Sequence, residues 1–392
     1  MSSTPYAPRI LVSGASIAGS ALTYWLKRYG FRVTVVELTP GFRPGGQSID
    51  VRGSALKVLE RMGALETTRA RRVRMQGMSV VNPDGEELFR STEQTLSGGE
   101  LASPDIEILR DDLSSVFVEA TAAVEGPEVE YLFDDSIDTL TQDATGVHVT
   151  FRNRPEPRTF DLVLAADGLH SSTRALAFGP ESDFVTHMGT VLAVWSAPNF
   201  LDLDEWQIAF HADGFDCGGL VTSVRENKEL RVYLGFEHDP DFSYDYRDIN
   251  AQKQLMADQF KDGGWVFPTL LDHMWQADDF HLDSMAQVKM DSWSNGRVAL
   301  VGDAGYCGSP LSGQGASMAI VGAYVLAGEL KAAQGDHASA FAAYESELRG
   351  FVTASQELAY INKARGKAQQ TGEAFEGPEM SVVANAYGVK DY

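Results

Sequence analysis

Arg9–Ser13 is a short apolar run that breaks at Gly14, the pattern of a buried strand entering a tight turn. Ala15–Tyr29 reads as a helix ended by Gly30, and the β-branched run Phe31–Glu37 reads as a second strand. Strand, helix and strand in that order predict one βαβ unit, parallel and right-handed. Two further apolar runs end the same way, at Asp161-Leu-Val-Leu-Ala-Ala-Asp167-Gly168 and at Arg297-Val-Ala-Leu-Val-Gly302-Asp303. Each stops in an acid, where the C-terminal edge of a parallel sheet presents a carboxylate to a ligand.

Between these runs the texture changes. Val191–Trp195, Trp206–His211, Gly218–Val224 and Leu230–Glu237 are short and β-rich, which predicts an antiparallel sheet inserted into the nucleotide domain. Beyond His337, apolar Phe341, Tyr344, Leu348, Phe351 and Leu358 recur at helical spacing with charges between them. The pattern predicts an α/β fold: a Rossmann-like domain over 1–175 and 284–335, with parts of 70–110 assignable to a substrate domain over 176–283. A long C-terminal helix is expected over 336–370, followed by a loose tail over 371–392.

Gly14-Ala15-Ser16-Ile17-Ala18-Gly19 occupies the place of a G-x-G-x-x-G loop, after a strand and opening a helix. Gly14 makes the turn, Gly19 lets the helix approach the strand, and the helix amides face a pyrophosphate. Ser16 stands where the middle glycine belongs. Glu37, ending the second strand, is placed to accept a ribose hydroxyl. This loop does not distinguish FAD from NAD, and a purely structural βαβ turn is its bland explanation.

Gly302-Asp303-Ala304-Gly305, followed by Pro310-Leu-Ser-Gly313-Gln314-Gly315, is more selective. A buried strand delivers Asp303, the glycines admit a flat ligand, and a helix opening near Ala316 aims its positive end at it. That end suits the negative charge of a reduced flavin better than a neutral nicotinamide.

In these motifs the chain resembles the class A flavoprotein monooxygenases, the family of para-hydroxybenzoate hydroxylase and the tetracycline-inactivating monooxygenases. The resemblance implies that Glu37 holds the adenosine ribose, Asp303 the ribityl chain, and Asp167 a position used by FAD and the nicotinamide. Arg43-Pro-Gly-Gly-Gln-Ser-Ile-Asp50 resembles the tetracycline-inactivating branch, in which the aspartate meets FAD and the arginine is linked to NADPH. Ile108-Leu-Arg110-Asp-Asp-Leu113 resembles the family's Arg-x-x-Leu element, whose arginine contacts FAD. A surface ion pair is the competing explanation for both arginines. Tyr306 replaces the histidine most members carry, which puts any role transferred to that side chain in doubt.

The family further implies hydride transfer from NADPH (or NADH) to FAD, formation of a flavin C4a-hydroperoxide, and hydroxylation of a small aromatic or polyketide-like compound. A nicotinamide-dependent dehydrogenase and a non-catalytic flavin- or ligand-binding protein remain as alternatives. A flavin-dependent halogenase would need a Trp-x-Trp segment, and none occurs. His211, Phe215, Arg225 and Tyr233 lie on or beside the inserted sheet, and none is assigned as a catalytic base.

The net charge of −23 over 392 residues argues against nucleic acid and against an anionic membrane surface. Two cysteines, Cys217 and Cys307, and eight scattered histidines offer neither a disulfide framework nor a metal motif. With no apolar leader at the start and no apolar run long enough to span a bilayer, a soluble, cytoplasmic protein is expected.

Overall fold

The computed structural model describes residues 7–392 except 44, 97–98, 211–216, 240–241, 243, 246 and 372. His211 and Phe215 therefore lie outside the described residues. Among the described strands, six form a sheet in the order Ser294–Asn295, Val298–Leu300, Leu162–Ala165, Arg9–Ser13, Arg32–Val36, Glu130–Leu132. All pairs are parallel except the first. Its strands are apolar on both faces because both are covered. Ile10, Val12 and Leu164 pack with Leu22, Phe117 and Ile320 of the helices Ile17–Arg28, Arg110–Ala123 and Gly315–Ala332 in one core. Leu11, Val163 and Val298 point the other way, into a small core with Val147, Val149 and Phe160 of a three-stranded sheet.

A seven-stranded sheet forms the second layer: His281–Val288, Val185–Pro198, Glu229–Glu237, Cys217–Val224, Trp206–Phe210, Gly77–Val81, Glu87–Ser91. It is antiparallel except where Trp206–Phe210 meets Gly77–Val81. The expected boundary between 283 and 284 falls inside the strand His281–Val288, which stays in this sheet because it pairs with Val185–Pro198. Val191, Ala193, Trp195, Val232 and Leu234 face a core closed by the helices Ile249–Phe260 and Phe267–Gln276. The alternate residues face the nucleotide-binding layer.

The helix His337–Thr371 runs along both layers. At about 1.5 Å per residue it is long enough to do so. Tyr344 donates to Leu300 O at 3.0 Å in the parallel sheet, and Gln356 Nε2 to Val288 O at 2.7 Å. Lys363 reaches Glu237 at 3.1 Å in the other sheet. The expected loose tail is instead packed. It forms the short helix Met380–Ala384, buries Tyr387, and sends Tyr392 OH and Lys390 Nζ to Glu329 Oε1 at 2.7 and 2.6 Å. Weak helical periodicity hid this because the segment is held by contacts with residues far away in sequence. Among the described residues no helix is long and apolar enough to cross a membrane.

Candidate functional site

The strands Leu162–Ala165, Arg9–Ser13 and Val298–Leu300 lead at their C-terminal ends to the Asp167, Gly14 and Asp303 turns, and the first is bonded to both others. The three sequence motifs thus converge on one sheet edge. Gly14 has φ +97°, and a Cβ there would lie 2.5 Å from Ala166 O. A Cβ on Gly19 would overlap the Gly14 carbonyl oxygen. A Cβ on Gly302 would meet Ala18 Cβ at 2.9 Å, so the first and third loops touch.

The helix Ile17–Arg28 opens at Ser16 with no side-chain cap and no acid in its first turn. Its amide end is left for an anion. Arg110 stands beside it, donating to Ser16 Oγ at 3.1 Å and Gly45 O at 3.2 Å. Among the described residues no carboxylate forms an ion pair with it, which excludes the ion-pair explanation there. Burial, then the neighbouring Arg43, pushes its guanidinium down to about 10, so it remains a cation at neutral pH. Arg43 itself is exposed. Glu37 accepts from Ala15 N at 2.8 Å and from Thr39 N at 2.9 Å, tying the fingerprint loop to the end of the second strand.

Asp303 opens to the cleft while protein encloses its other sides, and that desolvation holds its carboxyl above the ordinary carboxylate range. The loop beyond it turns through Pro310 and Gly313 into the helix Gly315–Ala332, which has neither a side-chain cap nor an acid in its first turn. A Cβ on Gly315 would meet no protein atom within 4 Å. Asp50 lies on the strand Ser48–Val51, and its Oδ1 is buried without a hydrogen-bond partner among the described residues.

Asp167 is half-buried and bonded within its own loop. Its oxygens accept from Ser171 Oγ at 2.5 Å, Thr173 Oγ1 at 2.8 Å and Thr173 N at 3.0 Å, at the start of the helix Ser172–Phe178. Ser172 Oγ lies at 3.4 Å as well, so nearby donors hold the acid at the start of this helix, beside its N-cap Ser171. Tyr306 points away from the cleft. It is 1% exposed, and its hydroxyl lies 3.0 Å from that of Tyr344.

Across the cleft, Val194 pairs with both His281 and Tyr233, so the three lie abreast on the seven-stranded sheet. Tyr233 OH accepts from Ser48 N at 2.7 Å, fastening this face to the strand bearing Asp50. Burial, then Arg43, pushes His281 down to about 4, so it is neutral at pH 7. Arg225 forms ion pairs with Asp111 and Asp112 at 2.7 Å and joins the layers as a strut.

Sequence reasoning missed Arg52, His170, His281 and Asp283. Only Arg52 left a local signal, since it stands two residues after Asp50, directly beyond the strand Ser48–Val51. His170 bonds Asp283 at 3.2 Å through Nε2 and Glu181 at 2.9 Å through Nδ1. The bond to Asp283 leads in pushing its imidazole up to about 9. Because the folded value lies above the unfolded one of 6.5, the stabilisation is full below pH 6.5 and is lost as pH rises through about 9. Wild-type urea midpoints should therefore decline across that window, and His170→Gln should flatten the decline. An unchanged slope in the variant would assign the pH dependence to other groups.

These residues fit FAD. Two uncapped helix ends and a half-buried cation with no ion pair among the described residues suit a pyrophosphate, while an exposed carboxylate and a buried carboxylate oxygen with no partner among the described residues suit hydroxyl or N–H donors. Among the described residues no group of His, Cys, Asp and Glu could hold a metal.

Comparison with known proteins agrees. The family model described as an FAD binding domain matches residues 8–358. The chain is 52% identical over 383 residues to "Uncharacterized protein Rv1260" of Mycobacterium tuberculosis (strain ATCC 25618 / H37Rv), covering 98% of this chain and 99% of that one. It is 39% identical to a flavin-dependent monooxygenase of Legionella longbeachae serogroup 1 (strain NSW150), covering 89% and 87%. The crystal structure of tetracycline destructase Tet(51) superposes with a TM-score of 0.87 at 33% identity, covering 99% of this chain and 100% of that one. The match runs through Asp303–Gly315, which a nicotinamide-only dehydrogenase would leave unexplained. The chain belongs to the FAD-binding-domain family of class A flavoprotein monooxygenases, and it is an FAD-dependent monooxygenase.

Proposed function

We propose that this monooxygenase consumes NADPH (or NADH) and molecular oxygen to place one oxygen atom on a small aromatic or polyketide-like compound. Fused-ring phenols of the tetracycline type are the first class to test, because Tet(51) and Tet(55), both tetracycline destructases, share its fold at 33% and 35% identity. The observation that carries the reading is the pairing of two surfaces. Arg110, Asp303 and two open helix ends lie on one side, and the sheet face with Val194, Tyr233 and His281 lies on the other.

Bound FAD supplies two-electron transfer and oxygen activation. The chain's residues bind and orient. The amide end at Ser16 and the Arg110 cation hold the pyrophosphate, and Glu37 accepts a ribose hydroxyl. Asp303 would accept from the ribityl chain, and the open end of the helix Gly315–Ala332 would favour the negative charge of a reduced flavin. Asp50 takes a further cofactor donor on its open oxygen, and exposed Arg43 attracts the phosphates of the nicotinamide co-substrate. Asp167 contributes by fixing the loop between the layers. His281, neutral and half-buried, offers the substrate a polar contact beside Val194 and Tyr233.

The test is the visible spectrum of the purified protein, followed by NADPH oxidation in air with phenols, polyketides and tetracyclines and by product mass under 18-oxygen gas. Flavin bands, ligand-stimulated NADPH loss and one labelled oxygen in the product are expected. Stimulation without label in any product would reduce the protein to an NADPH oxidase and overturn the reading.

A further inference from the structure

Strand alternation places Ser48 and Asp50 on one face, and Arg52 follows directly after the strand Ser48–Val51. The Arg52 side chain is 7% exposed, and its two terminal nitrogens are divided between two acids. Nη2 meets Asp50 Oδ2 at 2.9 Å, and Nη1 meets Asp105 Oδ2 at 2.9 Å. Its backbone N–H donates to Ser317 Oγ at 3.0 Å, in the first turn of the helix Gly315–Ala332. The guanidinium is thus anchored to the segment before the strand Ile106–Leu109, and its backbone to the helix that opens at the flavin loop.

The consequence falls on Asp50. One carboxylate oxygen is taken by Arg52, while Oδ1 is buried and meets no partner among the described residues. A buried carboxylate oxygen left bare is costly, and a ligand donor removes that cost. We propose that Arg52 is a positioning residue of the flavin site: it holds Asp50 by one oxygen and presents the other to an N–H or O–H donor of FAD, while Asp105 sets how much of the Arg52 charge Asp50 receives. The proposal rests on the reading of Asp50 as a cofactor-facing residue.

Its electrostatic surroundings give the pair a testable signature. Arg52 and Asp105 are the charges that act most on Asp50. Glu107 stands opposite it in the strand ladder, Ser317 comes uncharged from the helix, and Met380–Ala384, packed against Gly53, brings no charge. Burial pushes the Asp50 carboxyl up to about 6, Arg52 pulls it down, and Asp105 pushes it up. The ionised form accepts the flavin donor, so FAD retention should weaken as pH falls through that value. Removing Arg52 should raise the pH of half-release, and neutralising Asp105 should lower it. Shifts of about one pH unit are expected, each a tenfold change in the ionised-to-neutral ratio.

The holoenzyme is titrated from pH 8 to pH 4, with FAD release read as flavin fluorescence and folding read by circular dichroism. Arg52→Met should shift half-release up, Asp105→Asn should shift it down, and Arg52→Lys should recover part of the wild-type position. A structural arginine would weaken FAD equally at every pH, so curves displaced in affinity with one common midpoint would overturn the proposal. Should Arg52→Met fail to fold, the downward shift in Asp105→Asn decides alone, and its absence overturns the proposal. Asp50→Asn separates the two levels. An unaltered release curve there sinks the reading of Asp50 itself. A flattened curve in Asp50→Asn, with Arg52→Met and Asp105→Asn at the wild-type midpoint, sinks only the positioning role.

Discussion

Arg110→Met should weaken FAD binding by ten- to a hundredfold while leaving the FAD-free protein as stable as before or slightly more so. The first half follows from what Arg110 touches. It is a cation beside an uncapped helix end, bonded only to the neutral Ser16 Oγ and Gly45 O among the described residues. A charge-assisted bond to a pyrophosphate is worth about 1.5–3 kcal/mol, which is the quoted factor in affinity. The second half follows from its electrostatics. Burial and Arg43 disfavour the charged guanidinium, so in the absence of an anion the fold gains little from it. Fluorescence titration with FAD and thermal melts with and without FAD measure the two halves. A variant that melts early yet binds FAD normally would make Arg110 a packing post. Arg110→Lys, keeping charge without the fork, should fall between.

Gly19→Ala should be the most damaging single methyl group in the molecule. Its Cβ would overlap the Gly14 carbonyl oxygen. Gly14 cannot readily yield, since its N–H donates to Val36 O at 2.8 Å. The helix Ile17–Arg28 must therefore back away, opening the Ala18–Gly302 contact and moving its amide end from Arg110. Overpacking of this kind costs about 1–3 kcal/mol, or several degrees in Tm, and FAD affinity should fall with it. Gly350→Ala is the matched control. Gly350 sits exposed in the helix His337–Thr371 with nothing within 4 Å of the new methyl, so the change should stabilise by about 0.5–1 kcal/mol. Equal melting temperatures for the two variants would mean that the close helix–strand approach at Gly19 is not what holds the loop.

The elements of the cofactor layer were legible in the chain because each is a local pattern. Arg9–Ser13 is apolar on both faces and stops at a glycine, and the runs ending at Asp167 and Asp303 do the same. A strand buried on both sides can be read without knowing its neighbours, and so can the helical recurrence of Phe341, Tyr344, Leu348 and Phe351. The packed segment 380–392 was not legible, since Tyr387, Lys390 and Tyr392 are held by groups such as Ser54 and Glu329, which lie 61 or more residues away.

The site divides along the same line. The order of glycines and acids by itself determined tight turns and a close helix approach at the end of a parallel sheet, because these admit few residue types. What each carboxylate does there was decided only by tertiary structure. Asp167 and Asp303 end similar apolar runs, yet local donors bind the first at the start of the helix Ser172–Phe178 while the second opens to the cleft. Arg225 pairs with Asp111 and Asp112, and Arg52 pairs with Asp105, across separations that no local window spans. Sequence periodicity fixes which face of an element is apolar. The partner of a buried charge depends on which elements the folded core brings within hydrogen-bond reach.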